Sequence, residues 1–163
     1  MKRYPALVLV ASQLLMSACY HAERIEPRNT AERRLDSIAA SVLAGKIGKV
    51  EILQIRLNTS FIAQVTPEVL ENAWDFRYTI RHIDGDRLPR LATALRTATI
   101  GTERTGADLR WGVILYSSTE EERRLGAIYF DRTGRRGALD DVPVSFENDA
   151  LIELRTALLP PYQ

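Results

Sequence analysis

The tightest grouping of chemically capable side chains in the sequence is His82-Ile83-Asp84-Gly85-Asp86. An imidazole and two carboxylates at alternate positions could ligate a divalent cation or work as an acid–base pair. A hydrolytic metal centre draws further ligands from elsewhere, and the other histidine, His21, lies near the start of the chain. Asp-Gly-Asp is also ordinary turn chemistry, with Asp86 placed to cap a following helix. The turn is the preferred reading, and an enzyme built on His82, Asp84 and Asp86 is kept as an alternative. Ser117 and Ser118 sit beside a strand end, but no Gly-x-Ser-x-Gly elbow surrounds them. Asp131-Arg132-Thr133-Gly134-Arg135-Arg136-Gly137 has the glycines of a phosphate loop without the Gly-Lys-Ser/Thr ending, and it reads as a hairpin turn. No catalytic residue, metal site or cofactor is therefore assigned.

Composition narrows the classes further. The chain has 163 residues, one domain's worth, with 22 basic and 21 acidic side chains for a net charge of +1. A protein that binds nucleic acid by neutralising phosphates carries a large basic excess, so nucleic acid is not an expected partner. The single cysteine, Cys19, excludes an internal disulfide and a cysteine-cluster zinc site.

That cysteine follows a distinctive run. Lys2 and Arg3 precede an apolar stretch through Ala6–Ala11 and Leu14–Met16, and small Ser17 and Ala18 come directly before Cys19. This is the layout of a secretory signal peptide, too short to span a bilayer. Leu15-Met16-Ser17-Ala18-Cys19 resembles the lipobox of bacterial lipoproteins, with Met16 where that class more often has Leu. The resemblance covers about 20 residues. It implies cleavage before Cys19, lipid attachment at Cys19 and a membrane partner reached through that lipid. Tyr20 stands where an Asp signals inner-membrane retention in that class. The resemblance therefore implies an outer-membrane anchor facing the periplasm in a cell with two membranes. Loss of the leader removes Lys2 and Arg3, so the mature chain has a slight acidic excess, and a lipid-anchored protein needs no basic patch to stay at the membrane.

The remaining chain divides into a polar tether over 19–28 and a domain over 29–163. Asn29 with Glu32 has capping-box spacing, and Ala31, Leu35, Ile38 and Val42 mark one helical face that Gly45 ends. A strand is expected over Lys49–Leu57, with a second extended piece over Phe61–Val65. Thr66-Pro67-Glu68 starts a short helix that runs to about Trp74. Phe76 to Ile83 alternates, with Phe76, Tyr78 and Ile80 assigned to the core and Arg77, Thr79 and Arg81 to the outside. Leu88, Leu91, Leu95 and Ala98 mark a third helix, Gly101–Asp108 a loop, and Leu109–Tyr116 a central strand. Leu125–Asp131 and Val142–Phe146 complete the strands, and Ala150, Leu151, Leu154 and Leu158 face the core from a last helix. Trp74 and Trp111 are both assigned to the core. The expected fold is a single α+β domain, a mixed, mainly antiparallel sheet with helices packed on one face.

Only three of the basic residues are lysines, Lys2, Lys46 and Lys49, so the surface is arginine-rich. Arginine is enriched in interface hot spots, and an exposed sheet face is a natural docking surface. Arg77 and Arg81 are accordingly the candidate partner-binding residues. The functional expectation is a lipid-anchored cell-envelope protein that performs no chemistry and binds another envelope protein or macromolecule. A periplasmic inhibitor or immunity protein and the His82 enzyme are the alternatives.

Overall fold

The computed structural model describes residues 30–81, 83 and 87–158. The leader, Cys19, the tether and the His82, Asp84 and Asp86 grouping lie outside the described residues. Among those described, the chain begins with helix α1 (30–43), whose buried face is Ala31, Leu35, Ile38, Ala39 and Val42. Gly45 takes φ +65, the left-handed conformation that a side chain disfavours. Its N–H donates to the Val42 carbonyl and the Lys46 N–H to that of Ser41, both at 3.0 Å, which satisfies the helix's last carbonyls.

The elements that follow are β1 (Ile47–Gln54), α2 (Pro67–Asn72), β2 (Phe76–Ile80), α3 (Arg87–Thr97), β3 (Ile100–Thr102), β4 (Leu109–Ser117), β5 (Arg124–Asp131), β6 (Arg136–Leu139), β7 (Val142–Phe146) and α4 (Ala150–Leu158). The strands form one seven-stranded sheet in the order β2-β1-β4-β5-β6-β7-β3, every pair antiparallel. Strands β4 to β7 make the meander that their short connections dictate. The α3 connection carries the chain from one edge strand, β2, to the other, β3.

Alternation gives each strand two faces. On the first, Val50, Ile52, Val113, Leu115, Ile128, Leu139 and Val144 pack against α1, α3 and α4. Phe130 is the centre of this core. Its ring stacks on Trp111 at 3.8 Å between centroids, nearly parallel, and lies 4.7 Å from Phe146. On the second face Leu53, Ile55, Ile114 and Tyr129 meet Leu70 of α2 and Val65. The α+β assignment thus holds, with the three longer helices on one face as expected and short α2 added to the other.

Several finer expectations are corrected. Phe61–Val65 is not a strand. Its Val65 is anchored by a donor bond to Asp108 Oδ1 and an acceptor bond from the Leu109 N–H, both at 3.0 Å. Strands β3 and β6 fall where a loop and a turn were expected. Gly137 looked like turn punctuation, yet it sits inside β6 because a Cβ there would lie 1.8 Å from the Tyr129 carbonyl oxygen. Strand β2 ends at Ile80, short of Ile83. Phe76, Tyr78 and Trp74 are not core residues; each is more than a third exposed. Strand β2 is an edge strand that overhangs the helix layer, and of its apolar residues only Ile80 reaches the main core.

Candidate interaction surface

The half of the second sheet face not covered by α2 is polar. Its centre is Glu51 of β1, a carboxylate only 4 % exposed within the run Val50-Glu51-Ile52-Leu53. Register places Glu51 opposite Thr79 of β2 and Ile114 of β4, so its neighbours on that face come from both strands. Arg77 Nη2 donates to Glu51 Oε1 at 2.7 Å and the Tyr116 hydroxyl donates to Oε2 at 3.1 Å. Lys49 Nζ lies 3.4 Å from Oε1 and 4.0 Å from the centre of the Tyr116 ring. Burial pushes the Glu51 carboxyl up. The bonds from Arg77 and Tyr116 and the charges of Arg77 and Lys49 outweigh it, holding the group below its ordinary 4.5.

The chain of charges continues. Lys49 Nζ contacts Glu122 Oε2 at 2.6 Å, and Glu122 in turn accepts from Arg81. The hydrogen bond to Glu122, with Glu51 adding, raises the Lys49 pKa against the opposing effect of burial. Glu122 occupies a left-handed φ of 44 in the β4–β5 connection. Arg77, Glu51, Lys49, Glu122 and Arg81 therefore alternate in sign across the face, anchored inside by Glu51. The terminal arginines stay accessible, with side chains 42 % exposed at Arg77 and 63 % at Arg81.

Around this chain lies an aromatic and cationic margin. The Arg77 guanidinium is 5.8 Å from the Trp74 ring and that of Arg56 is 5.4 Å from Phe76. Phe76 and Tyr78 project to the side opposite Arg77. Arg77 and Arg81 thus occupy the outward face expected of them, and each has found a carboxylate of its own chain.

A second polar cluster lies over β5. The Tyr129 hydroxyl, in a fully buried residue, donates to Glu71 of α2 and accepts from Arg124 Nη2 at 2.8 Å. Burial, reinforced by the bond to Glu71, pushes this hydroxyl well above its ordinary 10. Arg124 Nη1 also bridges both Glu71 oxygens at 3.0 and 3.1 Å. Asp140 holds Arg34 Nε at 2.6 Å and accepts the Ala127 N–H at 2.9 Å. Above these groups is a shallow cleft of about 420 Å³. Its Glu71, Arg124 and Asp140 are already committed to one another or to α1, so the cluster fastens α1 and α2 to the sheet.

Of the other sequence candidates, those among the described residues take structural roles. Ser117 Oγ lies 2.6 Å from Thr119 Oγ1. In the Asp131–Gly137 hairpin, Gly134 takes φ +74 and Asp131 Oδ1 accepts from the Thr133 N–H at 3.0 Å. Arg135 pairs with Asp149 at 2.7 Å and Arg136 with Glu103 at 3.3 Å. Among the described residues no group of three or more His, Cys, Asp or Glu could hold a metal ion, and no helix is long and apolar enough to cross a membrane. Sequence reasoning missed Glu51 and Tyr129. The signal for Glu51 was present, a carboxylate inside an apolar strand where burial demands a partner.

No family model matches the chain, and neither the curated proteins nor the solved structures contain a match to it.

Proposed function

We propose that this is a lipid-anchored protein of the cell envelope, held to a membrane through Cys19, whose α+β domain is a binding module that docks another envelope protein or macromolecule. On this reading the outer membrane is its location in a cell with two membranes, and the domain faces the periplasm. The anchor is supported by Leu15-Met16-Ser17-Ala18-Cys19 and the leader before it. The observation that carries the docking reading is the composition exposed around β2. Trp74 stands beside Arg77, with Arg81 on the same face, while exposed Phe76 and Tyr78 lie on the other face, Phe76 beside Arg56; Trp, Tyr and Arg are the residues that dominate interface hot spots. The test is affinity capture from detergent-solubilised envelopes with full-length protein. The parent should retain a partner that Trp74→Ala and Arg81→Ala lose, the latter with stronger effect at low salt. Equal recovery of every co-purifying species by parent and variants contradicts the docking surface.

A further inference from the structure

The two edges of the sheet are built differently. Strand β3 is three residues long, and its Ile100 and Gly101 are buried. Strand β2 is five residues long, and none of its residues is buried. An open edge offers a row of unpaired backbone donors and acceptors to another strand. Proteins guard such edges with very short strands, bulges, proline, charged side chains or a covering element. Here β2 pairs with β1 in continuous register over Phe76–Ile80, without a bulge, and Phe-Arg-Tyr-Thr-Ile contains no proline. Its one charge, Arg77, lies on the outward sheet face and pairs with Glu51 of β1, the next strand in.

We infer that two copies of this chain pair through β2, antiparallel across a two-fold axis at Tyr78, joining their sheets edge to edge. The inference rests on the edge and its register, independently of whether Arg77 and Arg81 bind another protein. Opposed residues in an antiparallel pair point to the same face, so a continuous sheet must keep the two faces in phase. Within β2 three symmetric registers with central residues do so, centred on Arg77, Tyr78 or Thr79. Centring on Arg77 sets that arginine against its own copy. Centring on Thr79 sets Arg77 against Arg81 twice. Like charges directly opposed destabilise a strand pair. Centring on Tyr78 avoids both. It sets Phe76 against Ile80, Arg77 against Thr79 and Tyr78 against Tyr78. Just beyond each end of the strand it sets Arg81 against Asp75, opposite charges that recur at both ends by symmetry. Asp75 and Arg81 are both exposed; Asp75 Oδ2 accepts the Arg56 N–H at 2.7 Å and Arg81 pairs with Glu122, so each would share its charge across the axis. An interface in which the same patch meets itself is the commonest way to close an oligomer.

Cross-linking of the full-length protein in detergent tests the register directly. Residues opposed across such an axis have Cα atoms about 4.5–5.5 Å apart, within disulfide range. Copper-catalysed oxidation of Tyr78→Cys should give about tenfold more covalent dimer than Arg77→Cys, Thr79→Cys or the parent, which carries Cys19 alone. Adding Arg81→Asp to Tyr78→Cys should cut that yield severalfold by opposing two acids, whereas adding Arg81→Lys should retain it. All four positions are exposed, but Arg77→Cys gives up the bond to Glu51, so a thermal melt of each variant confirms that it is folded before oxidation. A Tyr78→Cys yield no higher than the parent's overturns the pairing and leaves the edge to a different protein. A maximum at position 77 or 79, or indifference to Arg81→Asp, overturns the register.

Discussion

Replacing Arg77 with alanine should weaken the fold measurably, while the same change at Arg81 should not. The two arginines share a strand face and a composition, so the difference depends on what each one holds. Arg77 donates at 2.7 Å to a carboxylate that is 4 % exposed; Arg81 pairs with Glu122 in an open connection. A hydrogen bond between charged groups contributes about 1.5–3 kcal/mol, and removing one partner leaves the buried member uncompensated. The Arg77 side chain is 42 % exposed, so solvent screens part of that interaction. Lys49 and Tyr116 also remain on Glu51 after the substitution. The expected cost of Arg77→Ala is then about 1–2 kcal/mol. In a domain of this size that lowers the midpoint by roughly 3–7 °C in thermal unfolding followed by circular dichroism. In a Glu51→Gln background the same substitution should cost little, because no buried charge is left behind; the double-mutant cycle isolates the pair. The acid limb adds a sign. A carboxyl held below 4.5 stabilises the fold above that value and ceases to as pH falls through its folded value, so parent and Arg77→Ala should converge in acid. A midpoint for Arg77→Ala as high as that of Arg81→Ala, or a cost undiminished by Glu51→Gln, refutes the reasoning.

Three further expectations follow from other parts of the molecule. Phe130→Ala removes the ring between Trp111 and Phe146 and should cost about 3–5 kcal/mol in denaturant unfolding, the most damaging single truncation of the core. Tyr129→Phe should cost about 1 kcal/mol near neutral pH, since Glu71 and Arg124 still hold each other. A hydroxyl whose folded pKa lies above 10 contributes stability below pH 10 that is lost as pH rises further, so the variant's profile should be flatter on the alkaline side. Cys19→Ala should abolish both incorporation of a fatty-acid label and fractionation with membranes; unchanged fractionation of an unlabelled parent removes the anchor from the account.

Local chemistry was readable in the sequence where it acts through neighbouring residues. Thr66 caps α2 by accepting from the Val69 N–H at 3.3 Å with Pro67 in the first turn, and Gly45 ends α1. The alternation of Leu109, Trp111, Val113 and Leu115 gave a central strand correctly. The short strands β3 and β6 were not readable, because glycines that signal turns are there to let neighbours approach, the Ser145 and Glu147 side chains at Gly101 and the Tyr129 backbone at Gly137. Nor could alternation tell covered from uncovered. Phe76 and Tyr78 share a face with Ile80, yet strand order leaves them beyond the helices, and order is set by contacts between distant segments. The surface was half legible for the same reason. Arg77 and Arg81 can be placed on one face from spacing alone, but Glu51 and Glu122, which hold them, come from another strand and from a connection some forty residues on.

Site-specific photo-crosslinking in intact cells addresses the docking surface most directly. A photoreactive residue at Thr79 lies on the exposed face between Arg77 and Arg81, and one at Arg96 lies on the solvent side of α3, behind the helix layer. The account predicts a discrete adduct with an envelope component from position 79, lost when Trp74→Ala is added, and none from position 96. Adducts of equal intensity from both positions, or from position 96 alone, contradict a docking surface built around β2.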